Sequence, residues 1–448
     1  MQRSKVAGVL ATLVVLVAGT VRPAGAQESG VFPFDYDRVR LENGFTAYLV
    51  DAGAPGQIAF VTMVRTGSRD EVEAGKSGFA HFFEHMMFRG TEKYPDYDGM
   101  TSRIGAARNA FTSNDMTVYY LVASNEYLET IMDLESDRFQ NLRYSEADFR
   151  TEAGAILGEY QQGALTPGRW LNEKVRETAF QEHTYRHTTI GFEADVRAMP
   201  EGYEYSLDFY RRFYRPENVV LVIAGDFDRS AARELVGRYY GAWAPGYVPP
   251  AITPEPPQTE PRDRTVHYPA RTLPILSINY KAPAWSATDT LAVAAEVLGR
   301  VAFGPNSDLS RRLVLQERRL NSLNAGFGLD RDPGLLSINA IVNDPADVGA
   351  VETEIYRTAA RFQEELADGA LLRDIKSNMK YGFLMNLETA QDVAFSTIPF
   401  VINTGGVEAV EDYFRTLDAV TPEHIRRAAR QFLIDSGRTT ITMVQAEG

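Results

Sequence analysis

The chain of 448 residues contains no cysteine. This excludes disulfides, a lipid-modified cysteine, and any thiolate acting as nucleophile or metal ligand. Histidine is scarce too, with six residues, at positions 81, 85, 183, 187, 267 and 424. Any metal site must therefore draw on His, Asp and Glu. Lys and Arg number 46 against 60 Asp and Glu, a formal net charge of −14. Such a chain repels phosphate backbones, which argues against nucleic acid as a partner. Past the N-terminal segment, no stretch approaches the roughly 20 apolar residues that a membrane span needs.

That segment reads as an export signal covering residues 1–26. Arg3 and Lys5 form a basic start, Val6 to Val21 is apolar and uncharged, and Ala24-Gly25-Ala26 supplies a small-residue cleavage pattern. The expected mature chain starts at Gln27 and, without Arg3, Lys5 and Arg22, carries −17. A secreted protein, of the bacterial periplasm, is expected.

Hydrophobic residues at 44% and charged residues at 24% give an ordinary globular balance. Seven prolines between Ala244 and Arg264 (245, 249, 250, 254, 256, 257 and 261) mark an extended, semi-rigid linker. The expected division is 27–243, linker 244–264, and 265–448. The halves read as diverged copies of one unit. Ala59 to Arg65 matches Leu276 to Lys281, and Asn109 to Val122 matches Asn324 to Ile341. Each half closes with a helix and an apolar strand, at a steady offset of about 220 residues. Strands mostly alternate as half-buried antiparallel strands do, with helical segments between them. This predicts an α+β fold of two tandem homologous domains, each a mostly antiparallel sheet with helices on one face.

The chemistry concentrates in Ser77 to Phe88. With Ser77 as N-cap, Phe79, Phe82, Phe83 and Met86 form an apolar helical stripe, and His81, Glu84, His85 and Phe88 form its neighbour. This is an H-x-x-E-H arrangement, an inverted form of the commoner zinc-peptidase motif. Two imidazoles one turn apart can converge on an ion, and a carboxylate between them can take a proton from water. A catalytic zinc wants a third protein ligand and an open position. The next helix, opened by the capping box Ser145 to Asp148, carries Glu152 and Glu159 two turns apart, flanking Ala155 and Ile156. Spacing alone leaves open whether those glutamates are ligands or solvated.

The segments Gly67 to Glu71, Gly78 to Thr91, Asn109-Ala-Phe-Thr, Thr117 to Tyr120, Glu152 to Glu159 and Asn218 to Asp226 resemble, in order and spacing, the motifs of the pitrilysin/insulinase family of zinc peptidases. The likeness covers nearly the whole mature chain and is nearest to the shorter two-domain members, such as mitochondrial processing peptidase subunits and bacterial relatives. It implies a zinc endopeptidase with one Zn2+ per chain, held by His81, His85 and Glu159. Glu84 would be the catalytic base and Glu152 a carboxylate supporting the ligands. Asn109, Ala110 and Phe111 would form the edge strand on which a peptide substrate pairs, inside a chamber. Family members often face the substrate with an arginine and, seven residues later, a tyrosine from a second domain. Here Val314 and Asn321 fall at those positions, and neither can replace them. The resemblance therefore implies the zinc-bearing subunit of a dimer, with a homologous partner supplying the pair; a homodimer is the other option. The competing reading is a non-catalytic interaction or assembly protein retaining the fold.

The second half has no metal motif, and Asp289 to Gly299 reads as a plain amphipathic helix. His183 and His187 read as loop residues, and His267 and His424 as surface or packing residues. Phe209, Tyr210, Phe213 and Tyr214 read as helix core.

Overall fold

The computed structural model describes residues 30–446, so the expected export signal lies outside the described residues. The first half forms a six-stranded sheet from β1 (Tyr36–Arg40), β2 (Thr46–Asp51), β3 (Gln57–Val64), β4 (Ala107–Thr112), β5 (Thr117–Ser124) and β6 (Val219–Gly225). Its order is β1-β2-β6-β3-β5-β4. The second half forms a five-stranded sheet from β7 (Arg262–Tyr268), β8 (Ile275–Lys281), β9 (Leu320–Phe327), β10 (Leu335–Val342) and β11 (Arg438–Gln445). Its order is β7-β11-β8-β10-β9. Setting β2, β6, β3, β5 and β4 against β7, β11, β8, β10 and β9 gives one order used twice. Both sheets are antiparallel apart from one pair at the same place, β2 with β6 and β7 with β11.

The helices of the first half are α1 (Phe79–Met86), α2 (Tyr97–Arg103), α3 (Leu128–Asn141), α4 (Glu146–Ala164), α5 (Pro167–Ala179), α6 (Glu193–Ala198), α7 (Tyr203–Phe213) and α8 (Arg229–Tyr240). Those of the second are α9 (Thr290–Phe303), the single turn α10 (Asp308–Ser310), α11 (Val348–Glu364), α12 (Gly369–Met385), α13 (Ala390–Thr404), α14 (Ala409–Ala419) and α15 (Pro422–Phe432).

Strand periodicity sorts the residues of the first sheet into two cores. Ala47, Leu49, Phe60, Leu221 and Ile223 pack with Phe82, Phe83 and Phe209 of the half's own helices. Their neighbours Tyr48, Val50, Val61, Val220 and Val222 point the other way and join the core of the second half. The expected half-buried alternation therefore fails for β3 and β6, where both faces are covered and every residue except Gln57 is buried. The cause is α13, which crosses from the second half onto β3 and β6. In return α5 of the first half lies on β11 and β7, where Leu171 and Val175 meet Val266, Ile441 and Met443. α5 and α13 occupy equivalent places in the repeat, so each half lends the other its matching helix.

Two further expectations change. The helix opened by Asp289 is buried on nearly every side, from Ala292 to Phe303, because α12, α14, α15 and β9 surround it. The proline-rich stretch is bound to both halves. Glu255 accepts backbone hydrogen bonds from Gln181, Glu182 and His183, and Gln258 donates to the Arg438 carbonyl. β7 begins at Arg262, inside that stretch.

Candidate metal centre

α1 is fixed before any ligand is considered. Phe79, Phe82, Phe83 and Met86 are at most 1% exposed, and burying each contributes about 2 kcal/mol. Phe83 stacks on Phe209 at 5.2 Å, and Tyr119 Oη donates to the Phe83 carbonyl. Phe209, Phe213 and Tyr214 are buried in this core. The expected cap at Ser77 does not form. The N-cap is Gly78, at φ +94°, where a side chain would also meet the Ile190 carbonyl. Ser77 Oγ instead donates to Asp195 and accepts from Phe192 N. The first-turn donors go to Glu71, whose two carboxylate oxygens accept from Gly78 N at 2.8 Å and Ala80 N at 2.6 Å. Sequence reasoning missed this role; the signal for it was an acid seven residues before the N-cap.

α4 begins at the expected capping box on Ser145 and Asp148. It packs beside α1 through Phe149, Ala153 and Ile156; Ala155, expected on this face, is exposed. Glu152 and Glu159 thereby come to the side of α1 that carries the histidines. His81 Nε2 lies 3.6 Å and His85 Nε2 3.7 Å from Glu159 Oε2. One donor atom from each residue falls within 4.8 Å of the others. His85 Nδ1 is 2.8 Å from Glu152 Oε1, and Arg89 holds the other Glu152 oxygen at 2.5 Å. A carboxylate partner assigns the His85 proton to Nδ1 and leaves Nε2 with a free lone pair. Among the described residues His81 Nδ1 is buried with no hydrogen-bond partner, so packing orients that ring.

Charges at the site follow from burial. Burial drives the His81 pKa down to about 3, with His85 and Arg169 adding to it, so this imidazole is neutral. Burial also pulls on His85, but the Glu152 hydrogen bond and the charges of Glu152, Glu84 and Glu159 outweigh it and leave its pKa raised. The hydrogen bond from His85 holds Glu152 below the usual carboxylate range. Burial raises Glu84, against a 2.6 Å hydrogen bond from Thr112 Oγ1. The N,N,O donor set with neutral His81 and a free His85 Nε2 fits a zinc ion.

Glu84 sits beside β4, which among the described residues is an edge strand paired with β5 alone. Along it Asn109 is exposed, Ala110 buried and Phe111 half-buried against Phe395. Ala110 N bonds the Asn109 side chain, so this donor lies outside the ladder. Two cavities flank α5. One, of about 360 Å3, holds His81, Glu84, Phe111, Thr112, Glu159 and Arg169. The other, of about 520 Å3, lies between α5 and a polar floor on the second sheet that includes Ser277, Asn279, Ser322, Asn324, Ser337 and Asn339. Val314 packs on the second half's core and Asn321 is exposed on β9; neither lines these two cavities.

The remaining histidines lie elsewhere. His183 is buried and joins the halves, with Nε2 3.0 Å from Asp332 of the β9–β10 turn. His187 is buried and bonds the Thr188 carbonyl. His267 is exposed, and His424 completes a capping box with Thr421. Among the described residues no single helix is long and apolar enough to cross a membrane.

Comparison with known proteins finds relatives along most of the chain. Residues 55–192 match the model described as Insulinase (Peptidase family M16), and residues 203–379 the model described as Peptidase M16 inactive domain. The chain is 26% identical to the zinc protease PqqE of Helicobacter pylori over 418 residues, covering 91% of this chain and 92% of that protein. It is 26% identical to the beta subunit of mitochondrial-processing peptidase from Bos taurus over 413 residues, covering 88% and 81%. A crystal structure of a protease from Helicobacter pylori matches with a TM-score of 0.85 at 25% identity, covering 92% of this chain and 99% of that one.

Proposed function

Because the chain belongs to the insulinase family of peptidases, family M16, we propose that it is a zinc-dependent endopeptidase acting on peptides or unfolded polypeptides. The observation that carries this reading is the meeting of His81 Nε2, His85 Nε2 and Glu159 Oε2, with Glu84 alongside in the same cavity. These three residues would hold one zinc ion per chain. Zinc bound there would supply Lewis acidity, polarising the scissile carbonyl and acidifying a water molecule.

The protein's own groups do the rest. Glu152, braced by Arg89, orients His85. Glu84 Oε2, aimed by Thr112, takes a proton from the attacking water and passes it to the leaving amine nitrogen. Its raised pKa makes it a better proton acceptor in the first of these steps. The outer edge of β4 at Asn109, Ala110 and Phe111 receives the substrate as an added strand, and Ala110 N exchanges the Asn109 side chain for a substrate carbonyl. The second half serves as wall and floor of the chamber.

Val314 and Asn321 support a homologous partner subunit that supplies an arginine and a tyrosine. The N-terminal segment supports export to the periplasm. The test is zinc stoichiometry of the full chain together with cleavage of an unstructured peptide mixture by wild type and Glu84→Gln, with and without a co-purifying subunit. The expectation is one zinc in both proteins and turnover in wild type alone. A zinc-free protein, or Glu84→Gln cutting at the wild-type rate, refutes the reading. Full activity of the homomeric chain removes the partner.

A further inference from the structure

The cavity that holds Glu84 and Glu159 also contains a cation that the mechanism does not use. Arg169 lies in the first turn of α5. Its Nη1 is 3.6 Å from Glu159 Oε1, the oxygen turned away from the histidines, which is too far for a hydrogen bond. Its side chain is 62% exposed and makes no hydrogen bond among the described residues. The nearby acids are already engaged. Glu173 accepts from Tyr160 and Lys174, and Glu84 accepts from Thr112. Five N–H donors are thus available to whatever enters the cavity.

The arginine lies against a residue that has no side chain. Gly163 stands one turn beyond Glu159, at the penultimate position of α4. A Cβ there would come within 3.2 Å of Arg169 Nη1 and 3.5 Å of its Cδ. The missing side chain is the space along which the arginine lies. The protein as a whole carries −14, so an acidic ligand gains nothing from the overall field. A local guanidinium is what would select one, since its fork matches a carboxylate in two parallel bonds.

We propose that Arg169 is a specificity-determining residue that pairs with a substrate carboxylate close to the scissile bond. This rests on the peptidase reading above. The carboxylate is an Asp or Glu side chain within about three residues of the cut, about 10 Å of extended chain, or the free C-terminus of a short peptide.

The test first maps the cuts made by the zinc-loaded full chain in an unstructured peptide mixture. It then measures binding of one cleaved peptide to zinc-loaded Glu84→Gln by fluorescence anisotropy. Acidic residues should be enriched around the cuts. The Glu peptide should bind about tenfold more tightly than its Gln analogue. Arg169→Gln should erase that difference at unchanged zinc content, and Arg169→Glu should favour a Lys analogue. If amidating the C-terminus, rather than Glu→Gln, removes the gain, the carboxylate recognised is the terminal one. Cleavage without acidic enrichment, or equal binding of Glu and Gln peptides, overturns the proposal and leaves the peptidase reading intact. Loss of zinc with equal weakening of both peptides also overturns it, since Arg169 would then only steady Glu159. A zinc-loaded wild type that cuts nothing even with the co-purifying subunit present refutes both.

Discussion

Replacing Glu71 with alanine tests how α1 is held. Glu71 has no exposed side-chain surface and accepts from Gly78 N and Ala80 N, both buried positions. Alanine would leave two buried N–H donors unpaired, each costing about 1–3 kcal/mol. The loss is therefore about 4 kcal/mol, a large share of the 5–15 kcal/mol typical of a domain. Glu71→Gln keeps one acceptor and turns an NH2 toward the other donor, so it should lose about 1–3 kcal/mol. The readout is urea unfolding of the metal-free full chain, followed by tryptophan fluorescence and circular dichroism. The midpoint should fall from wild type to Gln to Ala at constant slope. Zinc affinity, measured by chelator competition, should fall about tenfold in Glu71→Ala, because His81 is the third residue of the helix that frays. A midpoint for Glu71→Ala within about 0.5 kcal/mol of wild type, the range of an ordinary surface change, would refute the capping argument.

Glu152→Ala should weaken zinc binding about 10–100-fold in the same competition assay, since His85 Nδ1 loses its orienting partner; unchanged affinity would count against that role. Chelation should lower the melting temperature: zinc at 100 times its dissociation constant contributes about 2.7 kcal/mol, and identical melting with and without chelator would argue against a bound ion. Burial, helped by Asp330, lifts the Asp115 carboxyl to about 7, and burial lifts Asp70 to about 6 against the charge of Arg69. Each binds its proton more tightly folded than unfolded, so its stabilisation is complete below about pH 4 and is lost as pH rises through 6 and 7. For Asp115 this amounts to about 4 kcal/mol; melting should fall from pH 5 to pH 8 in wild type and fall less in Asp115→Asn, and parallel curves would refute the assignment.

The groups behind that pH response occupy the seam between the halves. Arg69 reaches Asp332 at 2.6 Å, Tyr185 Oη donates to Asp115, and Asn114 donates to Asp330. The tip of the β9–β10 turn is thus tied to the first half. Together with α5, α13 and the bound proline-rich stretch, this makes the two copies interdependent. None of these cross-contacts is periodic in sequence, so no pattern announces them.

The ligand helix was legible because its information is local. Three aromatics at helical spacing need a core, and the adjacent stripe must then carry His81, Glu84 and His85 side by side. The repeat was legible because the same elements recur in the same order. The cap on α1 was misassigned to Ser77 for the opposite reason: Glu71 reaches Gly78 and Ala80 only after the chain between has folded back. The same limit applies to α9, read as amphipathic, because nothing within its own residues says how many helices will surround it.

What the sequence determined by itself is what spacing along a helix or strand can encode: the H-x-x-E-H face, the capping box before Glu152 and Glu159, and the duplicated α+β unit. Which of those faces meet is set by the folded chain as a whole. Glu159 comes within 4 Å of both imidazoles because α4 packs on α1 through Phe149, Ala153 and Ile156. Arg169 reaches the same cavity because α5 turns back against α4, where the arginine lies over Gly163. The physical reason is that local hydrogen bonding fixes each element's own periodicity, whereas the meeting of distant elements is set by how their apolar faces share one interior.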